Sequence, residues 1–199
     1  YRNPVSIVTK NALVTRDSDL LSTLAEVEAV SVALSIPTLS GELPGVMEPR
    51  TSHPRERVKA IGRLSEQGIP CGVMVAPVIP GLTDHEIPAV VEAASRAGAV
   101  FAIWLMLKLP GAVGGLFQDW LDRHYPDRRN KVLNRIRSLR GGGLSDSRFG
   151  TRMRGEGAFA DQVAALFDSA CTQHGLTGPA PTLSTSSFRR ADDPQLGLW

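Results

Sequence analysis

Residues 70–110 read PCGVMVAPVIPGLTDHEIPAVVEAASRAGAVFAIWLMLKLP, and this stretch decides the fold. Two apolar runs, 70–79 and 99–109, flank a segment with helical spacing that ends at Gly98. Both runs are continuously apolar rather than alternating, which is typical of parallel strands that are covered on both faces. A strand, a helix and a second strand in this order predict a βαβ unit with a right-handed crossover.

The same alternation extends back to the first residues of the chain. Residues 4–10 (PVSIVTK) and 30–36 (VSVALSI) indicate two further strands. The β-branched residues of 4–10 favour a buried first strand. Residues 18–29 and 54–68 have the apolar spacing of helices. We therefore predict an α/β fold with a parallel sheet, which is either doubly wound or part of a (β/α) barrel.

The pattern changes after Pro110. Residues 114–126 and 127–143 indicate two helices with no strand between them, and residues 158–175 indicate a last helix. The stretch from residue 177 is rich in Pro, Ser and Thr and is expected to be mobile. We therefore expect a parallel α/β domain, then a basic helical extension and then a flexible tail, at residues 1–112, 113–176 and 177–199.

Composition excludes several classes of protein. The chain has 199 residues, 42% of them hydrophobic, and a formal charge of +2, which fits one sizeable globular domain. It has no apolar run of membrane-spanning length, so no membrane partner is expected. The two cysteines, Cys71 and Cys171, lie far apart, which argues against a disulfide framework or a zinc ribbon and favours a reducing cytoplasm.

The carboxyl ends of the predicted strands carry the polar residues that suit a ligand. Lys10, Ser35 and Lys108 lie at three of these ends, and the fourth is the proline-stiffened segment 76–81. In parallel α/β folds, ligands bind at this edge of the sheet. The residue types favour a ligand with a carboxylate or phosphate and hydroxyl groups. The alternative is that the lysines are solvated strand ends and Ser35 is a hydrogen-bonded core hydroxyl.

Several of these segments together resemble the radical SAM superfamily. They are SIVTKN at 6–11, EPR at 48–50 followed by Pro54 and Arg57, VAPVIPGLTD at 75–84 and DSRFGTRMRGEG at 146–157. The resemblance covers almost the whole chain and is strongest to the branch related to spore photoproduct lyase, the "DNA repair photolyase-like" proteins.

This resemblance implies that residues 1–112 form part of a partial (β/α) TIM-like barrel, and it also implies a cofactor site. It places Lys10 beside the carboxylate of S-adenosylmethionine, Ser35 near its ribose and methionine part, and Ala76 and Pro77 where adenine rests. It also implies a [4Fe–4S] cluster and an electron donor that together cleave the cofactor to a 5′-deoxyadenosyl radical, as in a lyase acting on DNA. No residue is assigned to catalysis on the substrate.

The chain departs from the superfamily by having no C-x-x-x-C-x-x-C loop. Cys71 falls in a predicted strand and Cys171 in a predicted helix, so no metal ligand is assigned in this chain. We therefore expect the cluster ligands in a missing N-terminal part and expect the fragment alone to be inactive. Glu48 and Arg50, which flank Pro49, could brace the loop or touch substrate, and both interpretations stay open.

Residues 120–154 are strongly basic, with ten Lys or Arg against three Asp. Such a stretch can contact nucleic acid, or it can be a solvated face with internal ion pairs. A non-catalytic nucleic-acid-binding module and an iron-free phosphate-binding barrel enzyme are therefore alternatives to the radical enzyme. The candidate contact residues are Arg128, Arg129, Arg135, Arg148, Arg152 and Arg154.

The last five residues of the chain resemble the short motif that docks proteins on the bacterial sliding clamp. Gln195 would supply amide hydrogen bonds, and Leu196, Leu198 and Trp199 would supply the apolar anchors. The alternative is that this segment folds back on the helices as a terminal clip.

Overall fold

A computed structural model describes residues 1–189, and its centre is one parallel sheet. The strands are β1 (Val5–Thr9), β2 (Val30–Ser35), β3 (Cys71–Val78) and β4 (Phe101–Met106). They lie in the order β1-β2-β3-β4, so every crossover leads to the neighbouring strand. The predicted α/β fold with parallel strands is confirmed, and the sheet is consistent with a partial TIM-like barrel.

Seven α-helices accompany the sheet in the described residues. They are α1 (Ser18–Ala25), α2 (Glu42–Met47), α3 (Pro54–Ser65), α4 (Ile87–Arg96), α5 (Val113–His124), α6 (Arg129–Leu139) and α7 (Ala158–Gln173). Only α2 was not predicted, because it is short and contains both a proline and a glycine. Within residues 1–189, no helix combines the length and the apolar character that crossing a membrane requires.

The turn from α4 into β4 depends on Gly98. Its backbone has a φ of +91°, which side chains disfavour. A Cβ atom at this position would also lie 2.3 Å from the hydroxyl of Ser65 on α3. A glycine is therefore required both by the turn and by the close approach of the neighbouring helix.

The main core lies between the sheet and helices α3, α4 and α7. Fully buried side chains such as Leu34, Ile61 and Val90 fill it. Trp104 on β4 and Phe167 on α7 contact each other with ring centroids 6.2 Å apart. Helix α7 thus packs on the same core as the sheet. The predicted boundaries at residues 112 and 176 stay predictions.

A second apolar cluster joins α5 and α6 to the segment that follows β4. Leu107 and Leu109 of this segment pack with Phe117 on α5 and with Leu133 and Ile136 on α6. This small core is what holds the pair of helices near the carboxyl end of the sheet.

Strand β1 is less buried than the sequence indicated. Val8 is 54% exposed, Ser6 is also exposed, and no residue of β1 is fully buried. The expectation of a buried first strand is wrong, because β1 is the edge of the described sheet and has a neighbouring strand only on its β2 side.

The described part of the tail lies beside the start of the chain. The amide of Ser184 donates to the carbonyl of Glu28, and the amide of Arg189 donates to the carbonyl of Tyr1, both at 2.8 Å. Flexibility of the whole segment 177–199 stays a prediction. The proposed clamp motif at 195–199 lies outside the described residues.

Both thiols are buried in the core, which changes their acidity. Cys71 on β3 has no exposed surface, and its Sγ lies 3.4 Å from the carbonyl oxygen of Ile61. Burial raises the pKa of the Cys71 thiol to about 11. The unfolded chain ionises this thiol at a lower pH than the folded chain does. The resulting stabilisation is therefore fully present below the unfolded pKa and is lost as the pH rises towards 11.

We expect Cys71→Ala to reduce the alkaline loss of stability. Urea unfolding of the wild type should show about 2 kcal/mol more loss between pH 8 and pH 10.5 than the variant shows. The absolute cost of the lost side chain cancels, because each protein is compared with itself at the two pH values. Identical pH dependence in the two proteins would show that the Cys71 thiol is not shielded in the folded state.

Candidate functional site

A cavity of about 410 Å³ lies at the carboxyl ends of the strands. All four strands contribute to its wall, with Val8 from β1, Ser35 from β2, Met74 from β3 and residues 105–108 from the end of β4. The volume is in the range of sites for small molecules and cofactors. The parallel order of the strands is what brings these distant residues to one edge.

All four residues that the sequence assigned to a cofactor line this cavity. They are Lys10, Ser35, Ala76 and Pro77. They come from three different strand ends, and the structure brings them together around one space. Their contact with a cofactor stays a prediction.

A bulge in β3 presents Ala76 and Pro77 to the cavity. Val75 pairs with Trp104, whereas Val78 pairs with Met106, so β3 has one residue more than β4 between the two pairs. Pro77 has no N–H to donate, which favours an interruption of the ladder at this position. The extra residue brings the Ala76–Pro77 backbone into the cavity wall.

Ser35 ties β2 to this bulge. Its hydroxyl donates to the carbonyl oxygen of Ala76 at 2.8 Å, and its side chain is buried. In the described structure Ser35 is therefore a hydrogen-bonded hydroxyl of the sheet, as the alternative interpretation expected. A hydroxyl that donates one hydrogen bond can still accept another, so this contact does not prevent Ser35 from binding a ligand.

Lys10 forms an ion pair with Glu48 at the mouth of the cavity. The Glu48 side chain is 12% exposed and that of Lys10 is 34% exposed, so the pair is partly shielded from water. The amide of Ser52 donates to the Lys10 carbonyl at 3.2 Å, which fixes the segment that follows Glu48 against the end of β1. Glu48 therefore links this loop to the end of β1 through Lys10, and both of its predicted roles stay predictions.

Arg57 on α3 holds this loop from inside the protein. Its side chain is fully buried, its Nε donates to the Ser52 carbonyl at 2.7 Å, and its Nη1 donates to the Ser35 carbonyl at 2.8 Å. Its Nη2 donates to the Thr51 hydroxyl and lies 3.5 Å from a Glu48 oxygen. Burial lowers the pKa of the Arg57 guanidinium, and the Glu48 carboxylate partly offsets that effect.

Sequence reasoning gave Arg57 no role beyond membership of a motif. The available signal was its position four residues before Ile61, which places an arginine on the apolar face of α3. A cation on a buried face needs several acceptors. The sequence could not show which carbonyls would supply them.

A second cavity, of about 380 Å³, adjoins the first. It is lined by Lys10, by Glu48 and by residues 49–51, and it therefore includes the exposed Arg50. Lys10 lines both cavities, so the Lys10–Glu48 pair stands between them.

The arginine-rich loop is fixed beside the same edge of the sheet. Arg140 is buried and donates to the carbonyls of Leu107, Thr151 and Arg152 at 2.9–3.1 Å. The amide of Met106, the last residue of β4, donates to the Met153 carbonyl at 2.9 Å. These bonds fix the loop against the wall of the cavity that residues 105–108 form.

The six candidate nucleic-acid contacts divide into two groups. One group forms internal ion pairs, namely Arg129 with Asp122, Arg135 with Asp84, and Arg148 with Asp146 and Glu156. The other group consists of three exposed arginines, Arg128, Arg152 and Arg154. The Cζ of Arg152 lies 5.4 Å from the ring centroid of Phe149, and the Cζ of Arg154 lies 5.3 Å from that of Trp104. Contact with nucleic acid stays a prediction for all six.

Two carboxylates near the edge are used to fix loops. Asp84 accepts from the Gly81 amide at 2.8 Å and pairs with Arg135 at 3.1 Å. Glu86 accepts from the Thr38 hydroxyl at 2.5 Å and from the amide of the next residue at 2.9 Å. These bonds hold the loops that follow β3 and β2, the two strands that carry Ser35, Ala76 and Pro77.

The described residues do not fit an iron–sulfur cluster. Within residues 1–189, no group of three or more His, Cys, Asp or Glu side chains is placed to hold a metal ion. Cys71 and Cys171 are both buried, and burial raises the pKa of each thiol to about 11. A cluster ligand must be a thiolate, so neither cysteine is suited to that role.

Comparison with known proteins finds uncharacterized proteins that match about two thirds of this chain. The chain is 36% identical over 138 residues to an uncharacterized protein of Mycobacterium bovis, and the match covers 68% of this chain and 39% of that protein. A protein of Mycobacterium tuberculosis gives the same values. An uncharacterized protein of Methanocaldococcus jannaschii is 30% identical over 134 residues, which is 67% of this chain and 49% of that protein.

The chain thus spans about two fifths of the length of the mycobacterial relatives that it matches. Residues 2–94 match the family model described as "Radical SAM superfamily". The matched segment contains β1, β2 and β3 and all four predicted cofactor residues. This match supports the assignment of residues 2–94 to the radical SAM superfamily.

Proposed function

We propose that this protein is a radical SAM enzyme and that the cavity at the strand ends binds S-adenosylmethionine. The observation that carries the proposal is the convergence of Lys10, Ser35, Ala76 and Pro77 on one cavity within the segment that matches the superfamily. The volume of about 410 Å³ suits a cofactor, and the wall combines the ammonium groups of Lys10 and Lys108 and the hydroxyls of Thr9 and Ser35 with backbone and apolar side chains.

Each wall residue has a task in this proposal. The Lys10 ammonium pairs with the cofactor carboxylate, since a compact cation suits that group. The Ser35 hydroxyl accepts a hydrogen bond from the ribose or methionine part, and the Ala76–Pro77 bulge contacts adenine. Val8, Met74 and Leu105 line the cavity with apolar surface that excludes water. Held by these residues and given one electron by a cluster, the cofactor would supply a 5′-deoxyadenosyl radical for hydrogen abstraction from the substrate.

The [4Fe–4S] cluster of this proposal needs ligands from outside the described residues. Two findings support that placement: residues 1–189 hold no group that fits a cluster, and the chain spans about two fifths of its mycobacterial relatives. We expect the natural gene product to contain a C-x-x-x-C-x-x-C loop. We also expect these 199 residues alone to bind the cofactor without cleaving it.

The proposal is tested by S-adenosylhomocysteine binding, measured by isothermal titration calorimetry. Lys10→Ala should weaken binding by about 1.5–3 kcal/mol, because it removes a charge-assisted contact to the ligand carboxylate. Lys59→Ala is the matched control, since it removes an exposed lysine that pairs with Glu56 on the surface of α3. Unchanged affinity in the Lys10 variant would show that this strand end is not the site.

Reductive cleavage of S-adenosylmethionine provides a second test of the same proposal. The natural gene product, with its cluster rebuilt anaerobically, should produce 5′-deoxyadenosine when a reductant is added, and Lys10→Ala should slow that reaction. Absence of the product from a protein that carries an intact cluster would contradict the radical SAM assignment.

One observation favours a nucleic-acid substrate. Phe149 is 91% exposed on the fixed loop beside the cavity, and the Arg152 guanidinium lies over its ring. An exposed aromatic ring together with an arginine is typical of surfaces on which unstacked bases bind. We therefore propose that the substrate is carried on a single-stranded or locally opened nucleic acid. Lyase chemistry of the DNA-repair type is the finer form of this proposal and rests on the resemblance of the sequence.

Binding of a labelled single-stranded DNA, followed by fluorescence anisotropy, tests this part. Phe149→Ala should weaken binding by about 1–3 kcal/mol, because one base loses its stacking partner. Phe188→Ala, which removes another exposed phenylalanine, is the matched control and should have little effect. The affinity should also fall steeply as salt is added. Flat salt dependence, or equal losses in both variants, would favour the solvated-face alternative.

A further inference from the structure

Three charged groups meet at the mouth of the cavity, and two of them are cations. The carboxylate of Glu48 contacts the ammonium of Lys10 and lies near the guanidinium of Arg57. The group therefore has one positive charge in excess, in a place that is partly shielded from water. Such a site favours the arrival of one more negative charge.

The two oxygens of Glu48 serve different cations. Oε1 contacts Lys10, whereas Oε2 lies 3.5 Å from Nη2 of Arg57. The contact with Arg57 is long for a charge-assisted hydrogen bond, which normally measures 2.7–2.9 Å. Glu48 can therefore strengthen its contact with Arg57 when its contact with Lys10 is lost.

Only one of the two cations is free to move. Arg57 is fully buried, and its donors are held by the carbonyls of Ser35 and Ser52 and by the hydroxyl of Thr51. Lys10 is 34% exposed, has a flexible stem and lines both cavities. A change of partner at this site therefore moves the lysine and leaves the arginine in place.

We infer that Glu48 is a specificity-determining residue that stays paired with Lys10 until a ligand carboxylate displaces it. The ligand carboxylate takes the Lys10 ammonium, and Glu48 stays bound to Arg57. Without Arg57 this exchange would leave a shielded carboxylate with no cation, which is costly. The inference rests on the proposed function, because it names how the proposed cavity selects its ligand.

The exchange has a consequence for selectivity. A ligand that carries a carboxylate gains Lys10 and has to displace Glu48. A ligand without a carboxylate does not bind Lys10, and it does not displace Glu48. Glu48 thus lowers the affinity of the cavity for carboxylate ligands alone, which a purely structural brace would not do.

Two probes separate these roles: S-adenosylhomocysteine has the carboxylate, and 5′-methylthioadenosine lacks the amino acid part that carries it. Binding of each to wild type and Glu48→Gln is measured by calorimetry. Glu48→Gln should bind S-adenosylhomocysteine about tenfold more tightly, because a neutral amide holds the lysine less strongly. The affinity for 5′-methylthioadenosine should change less than about twofold, because that probe has no group that contacts Lys10.

Matched variants control the experiment. Glu56→Gln removes an exposed carboxylate from α3 and should change neither affinity. Lys10→Met added to Glu48→Gln should abolish the gain for S-adenosylhomocysteine. Thermal unfolding checks that each variant is folded, and Glu48→Asp, whose shorter side chain also loosens the contact with Lys10, replaces Glu48→Gln if that variant does not fold.

The outcomes distinguish a failure of the inference about Glu48 from a failure of the proposed cofactor site. If the wild type binds S-adenosylhomocysteine and Glu48→Gln weakens both probes together, Glu48 is only a brace and the inference is wrong. An unchanged affinity for both probes also overturns it. If the wild type binds neither probe, the proposed function fails first.

Discussion

Arg57 is a cation without solvent exposure, and the arrangement of the candidate site depends on it. A buried guanidinium is tolerated only when its donors find acceptors, since an uncompensated buried charge costs several kcal/mol. The acceptors here come from the end of β2 and from the loop that follows α2. One side chain therefore fixes a strand end and a loop in the positions where they form the mouth of the cavity.

The same constraint explains why the site combines rigid and movable parts. The sheet and the Arg57 contacts fix Ser35 and the bulge of β3, whereas the ammonium of Lys10 lies at the end of a flexible stem between two cavities. A site built in this way can hold a cofactor in one orientation on a prepared wall. It can also move the Lys10 ammonium towards the ligand while the contacts of Arg57 stay in place.

Much of this architecture could be predicted from the sequence. Continuous apolar runs and helical spacing gave the strands and nearly all helices, and the parallel order placed Lys10, Ser35 and the Ala76–Pro77 segment at one edge. The edge position of β1 could not be predicted, because the residues of a strand do not show how many neighbours it has. The acceptors of Arg57 could not be predicted either, because they are backbone carbonyls whose direction depends on tertiary structure.

The account depends most directly on where Lys10 and Glu48 lie when the cavity is filled. A crystal structure of the protein with S-adenosylhomocysteine measures this. We expect the Lys10 ammonium within hydrogen-bonding distance of the ligand carboxylate, and a Glu48 oxygen closer to Arg57 than the 3.5 Å found here. A ligand bound elsewhere, or Lys10 still on Glu48 beside a ligand carboxylate that has another partner, would contradict the account.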